Sequence, residues 1–179
     1  MTAFVVLLRG VNVGGKNKLP MADFRDLLEA EGGEDVASYI QSGNAVLRHS
    51  APADALAEQI AAAMQSRLNL DISVLVQTAD EFRKTVSDNP LDVQDADPKT
   101  LHVWFLREPA RAADTARLAD LAADTERFAL TTSAFFLHAP AGIGRSKLAA
   151  NVEACLGVAA TARNWRSIQK LGDMLADLG

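Results

Sequence analysis

A single cysteine, Cys155, in 179 residues rules out an intrachain disulfide and suits a reducing, cytoplasmic setting. Histidine is almost as scarce. His49, His102 and His138 show no metal-ligand spacing, and Cys155 lies in an apolar helical stretch, so zinc and other metals are not expected. No G-x-S-x-G elbow occurs, and no cofactor is expected. No apolar run reaches the ~18–20 residues of a membrane span. The first apolar run, Ala3–Leu8, has no basic segment ahead of it and reads as a strand, not a signal peptide, so no membrane partner is expected. Aromatic residues make up only 6% of the chain, and the net charge is −5. The pI is near 5.2, whereas a nonspecific polyanion binder is usually basic.

The charge is unevenly spread. Arg9 to Ala22 carries three cations and no acid, and Arg127 to Gly172 carries six Lys/Arg against one acid, Glu153. The acids gather instead in Asp23–Asp35 and Asp80–Glu126. If the basic segments meet in space, the surface is segregated by sign.

The apolar periodicity predicts strand Ala3–Leu8, helix Met21–Glu31, strands Val36–Gln41 and Ala45–Arg48, helix Ala53–Leu70 and strand Ile72–Gln77. The first 77 residues therefore read β-α-β-β-α-β, the ferredoxin-like order. A short helix, Thr78–Ser87, and a Pro- and Asp-rich linker, Asp88–Lys99, come next. The order then restarts with strand Leu101–Leu106, helix Ala110–Ala123, hairpin Arg127–Thr131/Ala134–His138, and helices Ser146–Leu156 and Ala162–Leu178. The expected fold is α+β: two ferredoxin-like (α/β plait) pseudo-repeats, with mixed or antiparallel sheets and helices on one face. Residues 1–77 form the first repeat, 78–100 a helix and linker, and 101–179 the second repeat with the C-terminal helix, all within one compact unit. A strand-exit arginine recurs at Leu8-Arg9 and Leu106-Arg107.

Arg9-Gly-Val-Asn-Val-Gly-Gly-Lys-Asn-Lys18 is the segment richest in chemistry. Glycine lets backbone N–H groups turn toward a ligand, and nearby cations complete an anion cradle. The spacing approaches a P-loop but puts Asn17 where the Mg²⁺-binding hydroxyl belongs, so nucleotide hydrolysis is not implied. Gly142-Ile-Gly144-Arg145-Ser146-Lys147 is a second such loop, opening a helix that Ser146 caps. Lys147 replaces the third glycine of a dinucleotide fingerprint, and no βαβ unit is expected after it, so dinucleotide binding is disfavoured. Arg163, Arg166 and Lys170 are expected on one stripe of the last helix, with Trp165 in its core face. Gln41 and Asn44 stand at a hairpin tip, where turn formation explains Gly43 and Asn44 without a ligand. His102 reads as a satisfied core or edge histidine.

Leu8-Arg-Gly-Val-Asn-Val-Gly-Gly-Lys-Asn17, Tyr39-Ile-Gln-Ser-Gly-Asn44, Gly144-Arg-Ser-Lys-Leu148 and Ala160-Thr-Ala-Arg-Asn-Trp165 together resemble the bacterial domain-of-unknown-function family 1697. The resemblance covers nearly the whole chain. It implies an α+β fold with two plait-like repeats and brings no activity, substrate or catalytic residue. Asn89-Pro90-Leu91 departs from it, since the family more often has Phe after Pro.

The leading expectation is a pocket for a phosphate- or carboxylate-bearing small molecule or nucleotide, lined by Arg9, Asn12, Gly14, Gly15, Lys16, Asn44, Gly144, Arg145, Lys147 and Arg163. Whether the chain is an enzyme stays open. One alternative is single-stranded nucleic-acid binding through aromatics on the sheet, Tyr39, Trp104 and Phe105, which the acidic pI disfavours. The other is a structural or interaction module without a small ligand, either monomeric or a homodimer.

Overall fold

The structure is a computed structural model that describes every residue except Gln94; that residue, within the expected linker, lies outside the described residues. The chain divides into two compact units, Met1–Lys84 together with Gln169–Gly179, and Thr85–Ile168.

The first unit holds β1 (Thr2–Leu8), α1 (Met21–Ala30), β2 (Glu34–Tyr39), β3 (Asn44–His49), α2 (Ala53–Leu68) and β4 (Val74–Thr78). Its antiparallel sheet runs β2-β3-β1-β4, with Val5 opposite both Val46 and Gln77. Each helix therefore joins two parallel strands that have a third strand between them, a split β-α-β arrangement made twice. Side chains alternate across a strand. Phe4, Val6 and Leu8 thus face a core with Phe24, Leu27 and Leu28 of α1 and Leu56, Ile60 and Met64 of α2. On the opposite face Val5 and Leu7 are equally buried, at 1% exposure each. That is why β1 reads as an unbroken apolar run and not as an alternation. Helix α2 stops at Leu68, two residues before its expected end, because Asn69 takes the left-handed conformation (φ 53°) that closes it.

The second unit repeats the plan with β5 (Leu101–Leu106), α4 (Thr115–Leu121), β6 (Arg127–Leu130), β7 (Ala134–His138), α5 (Lys147–Leu156) and β8 (Ala160–Asn164). Its sheet runs β6-β7-β5-β8, also antiparallel throughout. Trp104, Leu106, Phe135 and Leu137 pack against Leu118 of α4 and Leu148, Val152 and Leu156 of α5. The fold is α+β, with two repeated α/β units, as expected.

Strand β8 is a correction, because this stretch was expected as the start of a helix running from Ala162. Pairing with β5, from His102↔Asn164 to Leu106↔Ala160, overrides the helical preference of its alanines. The last helix, α6 (Trp165–Asp177), begins only after Asn164, whose Oδ1 accepts from Ser167 N at 2.9 Å. Helix α4 is also shorter than the expected 110–123. Ala113 N instead donates to Ala110 O in a turn, and Asp114 caps the helix by accepting from Arg117 N at 3.0 Å. Between β4 and α3 (Ala79–Ser87) Thr78 and Glu81 form a reciprocal capping box: Thr78 N donates to Glu81 Oε2 (2.9 Å) and Glu81 N to Thr78 Oγ1 (3.2 Å). The C-terminal segment, expected with the second repeat, belongs from Gln169 onward to the first unit. There Arg48 Nη2 donates to the carbonyls of Leu178 and Gly179.

The repeat extends to individual backbone bonds. Leu8 N donates to Gly43 O (2.8 Å) and Arg9 N to Ser73 O (3.0 Å). In the second unit Leu106 N donates to Ser133 O (2.9 Å) and Arg107 N to Ala159 O (3.1 Å). The recurring Leu-Arg pair thus marks one structural position, where the central strand is clamped by a hairpin tip on one side and by the approach to the last strand on the other.

Gly43 has no substitute at that clamp. Its φ is +73°, and a Cβ there would stand 2.6 Å from Leu8 Cβ and 2.8 Å from Val11 Cγ2. Gly14 has a φ of +58° with open space around it. In urea unfolding, Gly14→Ala is expected to cost about 1–2 kcal/mol, the backbone term alone. Gly43→Ala should cost on the order of 3–4 kcal/mol, because overpacking is added to it.

Candidate functional site

Between β1 and α1 the chain folds into a small, rigid tip. Gly14 and Gly15, with φ of +58° and +75°, are the central pair of a two-residue turn in which Lys16 N donates to Val13 O at 3.0 Å. Positive φ at both positions is the requirement of a type I′ turn, and Gly-Gly meets it without strain. Below the turn, Asn12 N donates to Asn17 O (3.1 Å) and Asn17 Nδ2 to Gly10 O (3.0 Å). Asn12 then ties the tip to the rest of the unit. Its Nδ2 donates to Leu19 O and Gln41 O, and its Oδ1 accepts from Leu19 N, all at 2.8 Å. Asn12 and Asn17 both take positive φ, 54° and 49°, which asparagine tolerates better than most residues.

The tip projects into solvent: Arg9, Gly10 and every residue from Asn12 to Lys18 are exposed. Arg9, Gly14, Gly15 and Lys16 therefore lie together on one accessible element, and Lys18 joins them. Asn12 is on the same loop, but its amide is used in holding the loop's shape. Asn44 is fully buried, and its Nδ2 donates to Tyr39 O (3.2 Å) and Ser42 Oγ (2.7 Å), so it shapes the β2–β3 turn from inside. That turn contains a residue which gave no signal in the sequence. Ile40 has φ 49°, an outlier for a β-branched residue, and is 50% exposed.

Gly144, Arg145 and Lys147 belong to the second unit. Ile143–Arg145 forms a single 3₁₀ turn, and Ser146 caps α5 as expected, its Oγ accepting from Ala149 N at 2.9 Å. Gly144, Arg145 and Lys147 are exposed beside that cap. Strand β8 comes after α5, so a β-α-β crossover is present where none was expected; Lys147 at the third glycine position still breaks the dinucleotide fingerprint. Arg163 is corrected from a helix stripe to β8, opposite Val103, while Ala162 beside it turns to the helix-packed face. Arg163 thus lies on the other face of the sheet from α5. Its Nη1 donates to Ala162 O at 2.8 Å, and burial lowers its pKa to about 10, which leaves it charged at neutral pH. The ten residues expected in one pocket are divided between the two units.

His49 serves structure. His49 Nδ1 accepts from Ala51 N (2.9 Å), and its Nε2 lies 3.1 Å from Glu31 O, to which it donates. His102, expected to be satisfied, is so only in part: its Nδ1 is buried without a hydrogen-bond partner, while the Thr100 backbone interacts with the ring. Its ring lies 6.2 Å from that of Trp104, which meets Phe135 edge-on at 5.7 Å. Desolvation lowers the His102 pKa, against a weaker opposing pull from the Thr100 backbone. Trp104 is 6% exposed and Phe105 0%, so neither offers a face on which a base could stack. Among the described residues no group of three or more His, Cys, Asp or Glu could hold a metal, and no helix is long and apolar enough to cross a membrane.

A family model described as a protein of unknown function (DUF1697) matches residues 1–136. No curated protein matches the chain. Conserved bacterial protein SP0830 from Streptococcus pneumoniae shares its fold, with a TM-score of 0.70 and 24% identity over 97% of this chain and 98% of that one.

Removing the Asn12 amide should loosen the tip. Asn12→Ala breaks three side-chain bonds, and urea unfolding is expected to show a loss of about 1–3 kcal/mol. His102 sets a pH signature. With its folded pKa below the unfolded value of 6.5, the folded state binds fewer protons, so the stability this site contributes is present above pH 6.5 and is lost as pH falls through the folded pKa. Urea midpoints measured across that range should fall for the native chain and fall less for His102→Gln.

Proposed function

The chain belongs to the DUF1697 family of proteins of unknown function, and from its own geometry we propose that it is a binding protein whose first-unit tip accepts a phosphate or carboxylate group. One observation carries the reading. The type I′ turn at Gly14-Gly15 is tied to its unit through Asn12, and its exposed loop carries the Arg9, Lys16 and Lys18 cations with no acid in the sequence between Arg9 and Ala22. A loop fixed in advance loses little entropy on binding, which favours even a small anionic ligand. The chemistry the tip offers is positioning and charge stabilisation. Arg145 and Lys147, with Gly144, are a second and weaker candidate on the other unit.

Thermal unfolding against inorganic phosphate, nucleotides, sugar phosphates and dicarboxylates tests the reading. A ligand at 100 times its Kd stabilises by about 2.7 kcal/mol, a rise in Tm of roughly 5–10 °C at this chain length. Arg9→Ala/Lys16→Ala should remove the shift, whereas Arg145→Ala/Lys147→Ala should keep it. Loss only in the second pair would move the site to α5, and no shift with any anion would refute anion binding.

A further inference from the structure

The tip is apolar as well as cationic, and this second character points to the kind of partner it meets. Val13 is 64% exposed and Ile40 50%; with Met1 they are the exposed large hydrophobic residues among those described. Their chain neighbours are joined, Asn12 Nδ2 donating to Gln41 O at 2.8 Å, so the β2–β3 turn and the glycine loop are tied together at the residues next to them. Val13 and Lys16 are cross-strand partners of the tight turn, so their side chains emerge on the same side. An aliphatic group and an ammonium thus stand side by side on a rigid projection.

Ile40 makes the stronger argument. Turn geometry alone would favour Asn or Gly at φ 49°, and an exposed isoleucine there adds strain without a full share of burial. Strain of this kind is retained where a side chain has a task outside the isolated fold.

We propose that the tip formed by Val13, Ile40 and Lys16 docks an acidic, leucine-bearing segment of a partner protein. The proposal rests on the anion-binding reading above, to which it adds an apolar requirement. Charge complementarity selects the occupant. The exposed loop carries Lys16 and Lys18 and has no acid in its own sequence, so a second copy meeting tip to tip would bring like charges together. Single-stranded nucleic acid would need aromatic faces for stacking, and both apolar side chains here are aliphatic. All seven residues from Asn12 to Lys18 are exposed, and Cβ atoms built at Gly10, Gly14 and Gly15 meet nothing within 4 Å.

Fluorescence anisotropy of the full chain with three labelled 12-residue peptides tests this: one with four Glu and two Leu, one with four Glu and no Leu, and one with four Lys and two Leu. The Glu/Leu peptide should bind best and weaken as salt rises. Lys16→Glu should weaken it roughly tenfold. Val13→Ser and Ile40→Asn should each weaken it about three- to tenfold. Ile40→Asn should do so with an unchanged or higher Tm, since the strain is relieved, and that combination separates a binding role from a structural one. Equal binding of the two Glu peptides, or undiminished binding by Ile40→Asn, would overturn the apolar requirement; the anion reading would then stand or fall on its phosphate test. A dimer in sedimentation that Val13→Ser abolishes, or tighter binding of a dT20 oligonucleotide that Ile40→Asn leaves unchanged, would also overturn it.

Discussion

The C-terminal end of β1 is the constraint on which the first unit depends. Leu8 is a core residue of the central strand, and the carbonyl of Gly43 reaches its amide at 2.8 Å. That approach is open only to a residue without a Cβ and with positive φ. Once the β2–β3 turn is held against β1, its Gln41 carbonyl is in place to accept from Asn12, and Asn12 in turn sets the shape of the projecting loop. Core packing, turn and tip are thus joined in sequence through Leu8, Gly43, Gln41 and Asn12.

The second unit shows which parts of this plan belong to the fold and which to the loop. Leu106 and Arg107 repeat the clamps of Leu8 and Arg9, bond for bond. The loops beyond them differ: Gly10-Val-Asn-Val-Gly-Gly in one case, Glu108-Pro-Ala-Arg-Ala-Ala in the other. The same strand exit therefore carries a glycine-rich cationic tip in one unit and a turn leading into α4 in the other. Fold repetition does not transfer a site, because the site resides in the loop and the repetition in the backbone ladder.

Several polar residues that resemble ligand readers serve the protein itself. Buried amides and imidazoles are stabilised by partners, and Asn44 and His49 find theirs in neighbouring backbone and hydroxyl groups. Asn12 does the same at the foot of the tip. Lys16, Lys18 and Val13 are exposed on the tip, a set suited to electrostatic attraction and apolar contact.

Local chemistry determined a good deal on its own. Ala3–Leu8, Leu101–Leu106 and Ala134–His138 read as strands from their apolar runs; Ser146 announced a helix start, and the repeated element order announced two α/β units. The Gly14-Gly15 turn and its cations were equally legible, since glycine pairs and charge depend on neighbours in sequence. Strand β8 was not, because Ala-Thr-Ala-Arg-Asn becomes a strand only when β5 supplies its hydrogen bonds. Arg163 moved with it, from a helix stripe to the sheet face away from α5. Nor could sequence divide the candidate residues between two units, bury Asn44 or leave His102 Nδ1 unpaired. It gave no sign that Ile40 would be held exposed at positive φ beside the tip. These outcomes depend on which groups meet across long stretches of chain, and that is settled only when the sheets close.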